Sequence, residues 1–463
     1  MTELHFNINP AESLGDLKLG TYLNDTLNLL TQSKIQISLR YDSKKINETP
    51  LVLKLIKYGI HLIFNPKTQR MIMIDVEIPD LDHINVKQNN LGLIYCNEMI
   101  HNWKFTNLYN EVFGPTRRGV SYDNDSVYML NYPGLTLKFD IGSLKFTEGS
   151  DIMTELLTLP QDDAVKCKRL YLHEYPSFHS FLSSQPTRST KEKLQIKEKR
   201  HTAQGDKSSA LNPPEIESIE ISPGNKIKIH FLSNCRTPPL EISLHESTPD
   251  QIIRILGPPD AIYVKKPSKL KIHNIISQTE SLSLDEEEEE EHEDQQINSR
   301  EKSDEDFLYH NYFRYGVDFL YDHSSSNSQR IGTLIKVIFH NNLPSCHSTF
   351  RTYNKSQYRI PYLTSEEGDI IDSSSSFNDV KSVFELLGAQ QKRNTTYLEL
   401  TNDPIIIMND SAELMVDSFD RIEDYSDTKS AKTLQKSMFY VMSSTGMVWE
   451  VINDDQIESL TLF

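Results

Sequence analysis

The chain has 463 residues, 37% of them apolar, and 66 acidic against 48 basic side chains give it a net charge of −18. That length allows two or three domains or one array of repeats. The charge argues against a general nucleic-acid binder, which needs clustered Lys and Arg to neutralise phosphates. The cysteines, Cys96, Cys167, Cys235 and Cys346, are too widely spaced for a CxxC metal site or a small disulfide framework, and are read as reduced thiols.

The opening "MTELHFNINP" has neither a basic n-region nor an apolar core, so no secretory leader is expected. "LGTYLNDTLNLLTQ" reads as a helix, with Asn24 or Asp25 as cap and Leu23, Leu27 and Leu30 on one face. Strands "LVLKLIKY", "GIHLIFN" and "RMIMIDVEI" follow. The apolar run from Leu51 to Phe64 is interrupted by Lys54, Lys57, Gly59 and His61, so it cannot span a bilayer, which takes about 20 nearly unbroken apolar residues. "TNLYNEVFGP" predicts a second helix, from Thr106 as cap to Gly114 and Pro115 as stop, ahead of strands "SVYMLNY", "GLTLKFDI" and "CKRLYLHEYP".

From Thr187 to Pro213 the chain is rich in Lys, Arg, Ser, Thr and Gln, and is predicted to be a disordered loop. Its basic residues, Arg188, Lys191, Lys193, Lys197, Lys199, Arg200 and Lys207, outnumber Glu192, Glu198 and Asp206. Attraction to an anionic membrane, at roughly 1 kcal/mol per basic residue near the surface, is one reading. A solvated loop without a target is the other. "IESIEISPGNKIKIHFL" carries a Pro-Gly-Asn turn between alternating runs and predicts a β-hairpin.

"STPDQIIRILGPPDAIYV" predicts a third helix with Thr248 as cap, Pro249 at its first position and Gly257 as stop. A second loop, Ser277 to Glu305, holds the acidic run "DEEEEEEHED" and is likewise predicted to be disordered. Strands "FRYGVDFLYD" and "IKVIFHNNLP" come next. "SFNDVKSVFELLGA" predicts a fourth helix with Val380, Val383, Phe384 and Leu387 inward, and "MFYVMSSTGMVWEVIND" and "QIESLTLF" close the chain.

The same parts therefore recur four times: a short helix, then a strand led by glycine, then a strand rich in Ile, Val or Leu. Gly59, Gly134, Gly316 and Gly446 are expected to open equivalent strands. "CKRLYLHEYPSFHSF" also resembles "LIKVIFHNNLPSCHSTF", which predicts equivalent places for the two middle units. The predicted fold class is α+β, built from repeated helix-plus-antiparallel-sheet units with added β-hairpins and two disordered loops. Boundaries fall at 13–80, 93–180, 187–213 (basic loop), 214–246 (hairpin), 247–360 (containing the acidic loop 277–305) and 376–463.

No catalytic spacing stands out: GxSxG, GxxxxGK[ST], GxGxxG and HExxH are all missing. His310 beside Asn311 and His340 beside Asn341 are candidate metal ligands or bases, but no second His or carboxylate sits at ligand spacing. No catalytic, cofactor-binding or metal residue is predicted. Tyr315, Tyr321 and Trp449 are either interface aromatics or core.

The segments "SLGDLKLGTYLNDTLNLL", "GIHLIFNPKTQRMIMIDV", "FGPTRRGVSYDNDSVYMLNYPGLTLKF", "ILGPPDAIYVKKPSKLKIH", "YHNYFRYGVDFLYD" and "VWEVINDDQIESLTLF" together resemble the eukaryotic phagosome (phagophore) assembly factor family. The resemblance runs from about Ser13 to Phe463 outside the two loops, where the chain departs from animal members. It implies a non-enzymatic cytoplasmic adaptor in autophagy, peripheral at the phagophore membrane. Its implied partner is a WD-repeat β-propeller protein related to the breast-carcinoma-amplified sequence product, the propeller side recognising phosphoinositide lipid. The alternative function is a membrane-trafficking or lipid-transfer protein with an internal apolar pocket. The helix–Gly-Pro–strand unit is also similar, at the level of fold, to bacterial outer-membrane assembly lipoproteins and the β-lactamase-inhibitor fold.

Overall fold

The computed structural model describes residues 4–78, 91–122, 126–142, 144, 146, 151–160, 164–175, 213–232, 237–264, 307–322, 332–346, 350–364, 368–384, 421–424, 437–442, 445–452 and 455–463. Apart from Pro213, both loops expected to be disordered lie outside these residues, as do Cys235 and Leu387. The fold is α+β: mostly antiparallel strands in four sheets, with short helices. Internal contacts divide it into two bodies, Met1–Ser209 with Met415–Ala431, and Ala210–Leu414 with Lys432–Phe463.

In the first body a nine-stranded sheet holds two antiparallel meanders. One runs Ile37–Tyr41, Leu51–Leu55, Ile60–Phe64, Met71–Glu77; the other runs Val120–Tyr122, Val127–Tyr132, Leu135–Asp140, Cys167–His173. They meet through their last strands, Leu172 lying opposite Ile74 and His173 opposite Met73. A strand from far down the chain, Arg421–Asp424, adds in parallel beside Ile37–Tyr41. Period-two patterning explains the buried face: Leu51, Leu53 and Leu55 are buried while Val52 and Lys54 between them are half-exposed. A smaller, five-stranded sheet pairs Leu4–Asn9 in parallel with Leu91–Tyr95, with the short strands Ser13–Leu14 and Leu17–Lys18 on one side and Glu98–Met99 on the other.

The second body is put together in the same manner. Its seven-stranded sheet joins Ala261–Val264, Phe307–Tyr312, Val317–Asp322 and Thr333–His340 to Gln456–Leu462, Met447–Ile452 and Ser437–Met442, again through last strands. Its five-stranded sheet is centred on the parallel pair Ile216–Ser222 and Tyr358–Thr364. One core unites both sheets with the third and fourth helices through Ile219, Ile252, Val380, Val337 and Trp449. Tyr321 and Trp449 are core, fully buried, and Tyr315 packs half-buried against it.

Two predicted caps need correcting. The first helix is Leu23–Gln32 with Tyr22 at its N-cap, so Asn24 and Asp25 lie inside its first turn. The second begins at Phe105, placing Thr106 inside, and passes at Leu108 into a π-helical turn. In each case a distant carbonyl takes the first helical N–H: Leu23 donates to Gln69 O and Phe105 to Val165 O, both at 2.8 Å. A backbone partner removes the need for a side-chain cap. The third helix, Pro249–Leu256, does have its predicted Thr248 cap, with the Thr248 N–H donating to Gln251 Oε1 at 3.3 Å, and stops at Gly257. The Pro-Gly-Asn hairpin also forms as expected, Ser222 facing Lys226.

The four glycines occupy matching places. Gly59, Gly134, Gly316 and Gly446 all have left-handed φ, between 63° and 80°, immediately ahead of the penultimate strand of their meander. The residue ending or following each last strand closes onto the glycine carbonyl: Glu77 on Gly59 (2.9 Å), His173 on Gly134 (3.2 Å), His340 on Gly316 (2.9 Å), Phe463 on Gly446 (3.0 Å). At Gly134 and Gly316 a second constraint applies. A β-carbon on Gly134 would overlap the Ala11 backbone, and one on Gly316 the Asn354 carbonyl oxygen. Glycine is used there because another stretch of backbone lies against it.

Candidate binding surface

His340 and His310 lie apart in chemistry although near in sequence. His310, opposite Phe319, is buried with its ring 4.9 Å from that of Tyr321, edge to face. His340 faces Asp318, Nε2 standing 3.0 Å from Oδ2, and its ring stacks on Tyr353 at 3.8 Å. Tyr353 donates its hydroxyl to the same Asp318 oxygen at 2.8 Å and accepts from Asn311 Nδ2 at 3.2 Å. Burial, with the Asp318 carboxylate adding to it, holds the Tyr353 phenol far above its ordinary range. Asn341 donates to Ile457 O at 2.8 Å. All these groups are at least nine-tenths buried, and each polar contact named is internal. The cluster pins the segment ending at Ser356, whose N–H donates to His340 O, onto the sheet.

The first body has a smaller counterpart at His173. Thr136 gives its hydroxyl proton to Asn131 Oδ1 at 2.9 Å and so accepts from His173 Nε2, also at 2.9 Å. Burial pushes the His173 imidazole down to about 4, the Tyr175 carbonyl offsetting part of this. The native ring is neutral where an unfolded one, with an ordinary value of 6.5, takes up a proton. Stability should therefore be fully present above pH 6.5 and drain away as pH falls towards 4, by on the order of 3 kcal/mol. Urea titrations at pH 7.5 and 4.5 should register that loss in the native chain and a much smaller one in His173→Gln.

Among the described residues, no group of three or more His, Cys, Asp or Glu could hold a metal ion, and no helix is long and apolar enough to cross a membrane. Among the described residues Cys96, Cys167 and Cys346 form no disulfide, and burial pushes the Cys167 thiol up to about 12. Exposed apolar side chains include Ile262 and Tyr263 on the edge strand of the seven-stranded sheet, and in the five-stranded one of the second body Tyr362 and, on its edge strand, Ile370. A hollow of about 410 Å³ opens in the second body, lined by Asn225, Leu244, His245, Tyr362, Gly446 and Phe463 among others. Sequence reasoning reached the two histidines but not Asp318 or Tyr353, which lie 22 and 13 residues from His340 along the chain. Nor did it reach the hollow, whose lining comes from five separate turns and strands.

This is the architecture of an α+β scaffold whose described polar clusters are turned inward. The chain belongs to the phagosome assembly factor 1 family, whose model matches residues 13–463. PHAF1 proteins of Drosophila melanogaster (22% identical, covering 77% of this chain and 74% of the relative) and Arabidopsis thaliana (22%, covering 82% and 81%) are similar to it along most of their length. One from Caenorhabditis elegans is 21% identical, covering 79% and 78%. No solved structure matches the chain significantly. Family membership supports an autophagy-related role at autophagosome formation, and the family's name is that of an assembly factor rather than an enzyme.

Proposed function

We propose that the chain is a non-enzymatic adaptor that forms a complex with a WD-repeat β-propeller protein at the membrane of the forming autophagosome. The carrying observation is the family match over residues 13–463, since it spans both bodies. The internal use of His340, Asp318 and Tyr353 supports the reading, because a group clamped between buried partners is poorly placed to meet a substrate. In an adaptor the activity resides in surface, where a few aromatic or apolar anchors carry most of the contact energy. Contact with phosphoinositide lipid is assigned to the propeller side of the complex.

The test is recovery of the full chain at endogenous level from starved cells, followed by deletion and rescue. A WD-repeat propeller protein should co-purify, and its recruitment to forming autophagosomes should fail without this chain and return when it is restored. Recruitment indifferent to deletion, or co-purification of lipid with no propeller, would overturn the adaptor reading, the second outcome in favour of lipid transfer.

A further inference from the structure

The hollow in the second body has a counterpart in the first, and there it is filled. In the first body the turn at Ala11 (φ 62°) donates its backbone N–H to Gly134 O at 3.2 Å. In the second body the turn at Asn225 (φ 54°) meets Gly446 O at the same 3.2 Å, but through its side-chain Nδ2. Its backbone therefore stands off by the length of a side chain. The next turn matches as well. Gly20 (φ 83°) donates to Met71 O at 2.8 Å and His245 (φ 62°) to Leu334 O at 2.6 Å, each carbonyl lying on the last strand of the body's first meander. His173 on Gly134 and Phe463 on Gly446 complete the correspondence.

In the first body, residues Glu174 and Tyr175 lie in this niche. The Gly134 N–H donates to Tyr175 O at 3.1 Å, and the Glu174 carboxylate sits 3.5 Å from where a β-carbon on Gly20 would stand. In the second body the same niche is the open hollow of about 410 Å³. It offers the half-buried Leu244 and the exposed Tyr362 to a large side chain, and the exposed imidazole of His245 in the place that Gly20 takes beside Glu174. At its floor Asn225 is buried and Oδ1 accepts no hydrogen bond among the described residues, while Nδ2 is held by Gly446 O and Phe463 O. A buried acceptor without a donor is costly, and an incoming peptide N–H or hydroxyl relieves it.

We infer that this hollow is a docking site for a short extended peptide of a partner protein, carrying an acidic residue followed by an aromatic one, seated as Glu174 and Tyr175 are seated in the first body. The acidic side chain meets His245, and the aromatic ring packs on Tyr362 and Leu244. This goes beyond the adaptor reading and is tested separately from it. The probe is a Glu-Tyr-Pro-Ser peptide copying the sequence of residues 174–177, labelled with fluorescein at its C-terminus, titrated into the full chain and followed by anisotropy. Saturable binding is expected, weakened at least about tenfold by Tyr362→Ser and by His245→Gly, and likewise for an Ala-Ala-Pro-Ser peptide. His245→Gly relieves a left-handed backbone and so keeps the fold, which makes it the variant that separates lost binding from lost structure. Absence of saturable binding, or affinity unchanged in both variants, overturns the inference; neither result bears on whether the propeller protein co-purifies.

Discussion

Replacing Gly316 with Ala should destabilise the second body by about 3–5 kcal/mol, one of the largest effects a single methyl can have. Two costs combine. A left-handed φ of 67° is strained for any residue with a β-carbon, by about 1–2 kcal/mol. The added methyl also overlaps the Asn354 carbonyl oxygen and crowds Ser356 N, 2.8 Å away. The bonds from Asn354 N–H to Phe313 O and from Ser356 N–H to His340 O, both 2.8 Å, cannot persist if that segment retreats. Gly114 provides the comparison: its φ is 80°, yet no atom stands within 4 Å of a β-carbon there. Gly114→Ala should cost only about 1 kcal/mol, the strain alone. Urea unfolding of the two variants isolates the close approach by difference. Equal losses would mean that the crossing backbone does not rest on Gly316.

The second large effect is expected at Asp318. Asp318→Ala strips one acceptor from two buried donors, the Tyr353 hydroxyl and His340 Nε2, and should cost about 3–4 kcal/mol. Asp318→Asn keeps the volume and one oxygen, so a loss of about 1–2 kcal/mol is expected. Tyr353→Phe removes a single hydroxyl while leaving the ring on His340, and belongs near the lower figure. A graded series in thermal or urea midpoints, with Asp318→Ala the worst, is the expected outcome. A loss below about 1 kcal/mol for Asp318→Ala would show that the cluster does not hold the crossing segment.

These two sites mark the boundary between what was readable and what was not. Both glycine-led strands, "IKYGIHLIFN" and "FRYGVDFLYD", announce themselves, because a left-handed residue ahead of a period-two run is a local property of the chain. The third helix was legible for the same reason: its cap, first-position proline and glycine stop all lie within ten residues. The hairpin around Asn225 was legible from its turn. The caps of the first two helices were misread because Gln69 and Val165, which satisfy their first N–H groups, are nowhere near them in sequence. Strand Tyr358–Thr364 went unread because Pro361 sits in its middle, and it is tolerated where the pairing with Ile370–Asp372 is irregular.

By itself the sequence determined the local conformations, the apolar face of each helix and strand, and the family resemblance on which the functional expectation rests. Only the tertiary structure decided which strands are neighbours. Apolar strands such as Met71–Glu77, Cys167–His173, Thr333–His340 and Gln456–Leu462 have similar buried patterns and could each satisfy many partners. Burying whole faces at once selects the pairing of last strand with last strand, and with it the meeting of Asp318 with Tyr353 and of Asn225 with Gly446. Backbone hydrogen bonds carry no residue identity, and a long-range contact costs its loop-closure entropy wherever it forms, so neither term can be read from a stretch of ten residues.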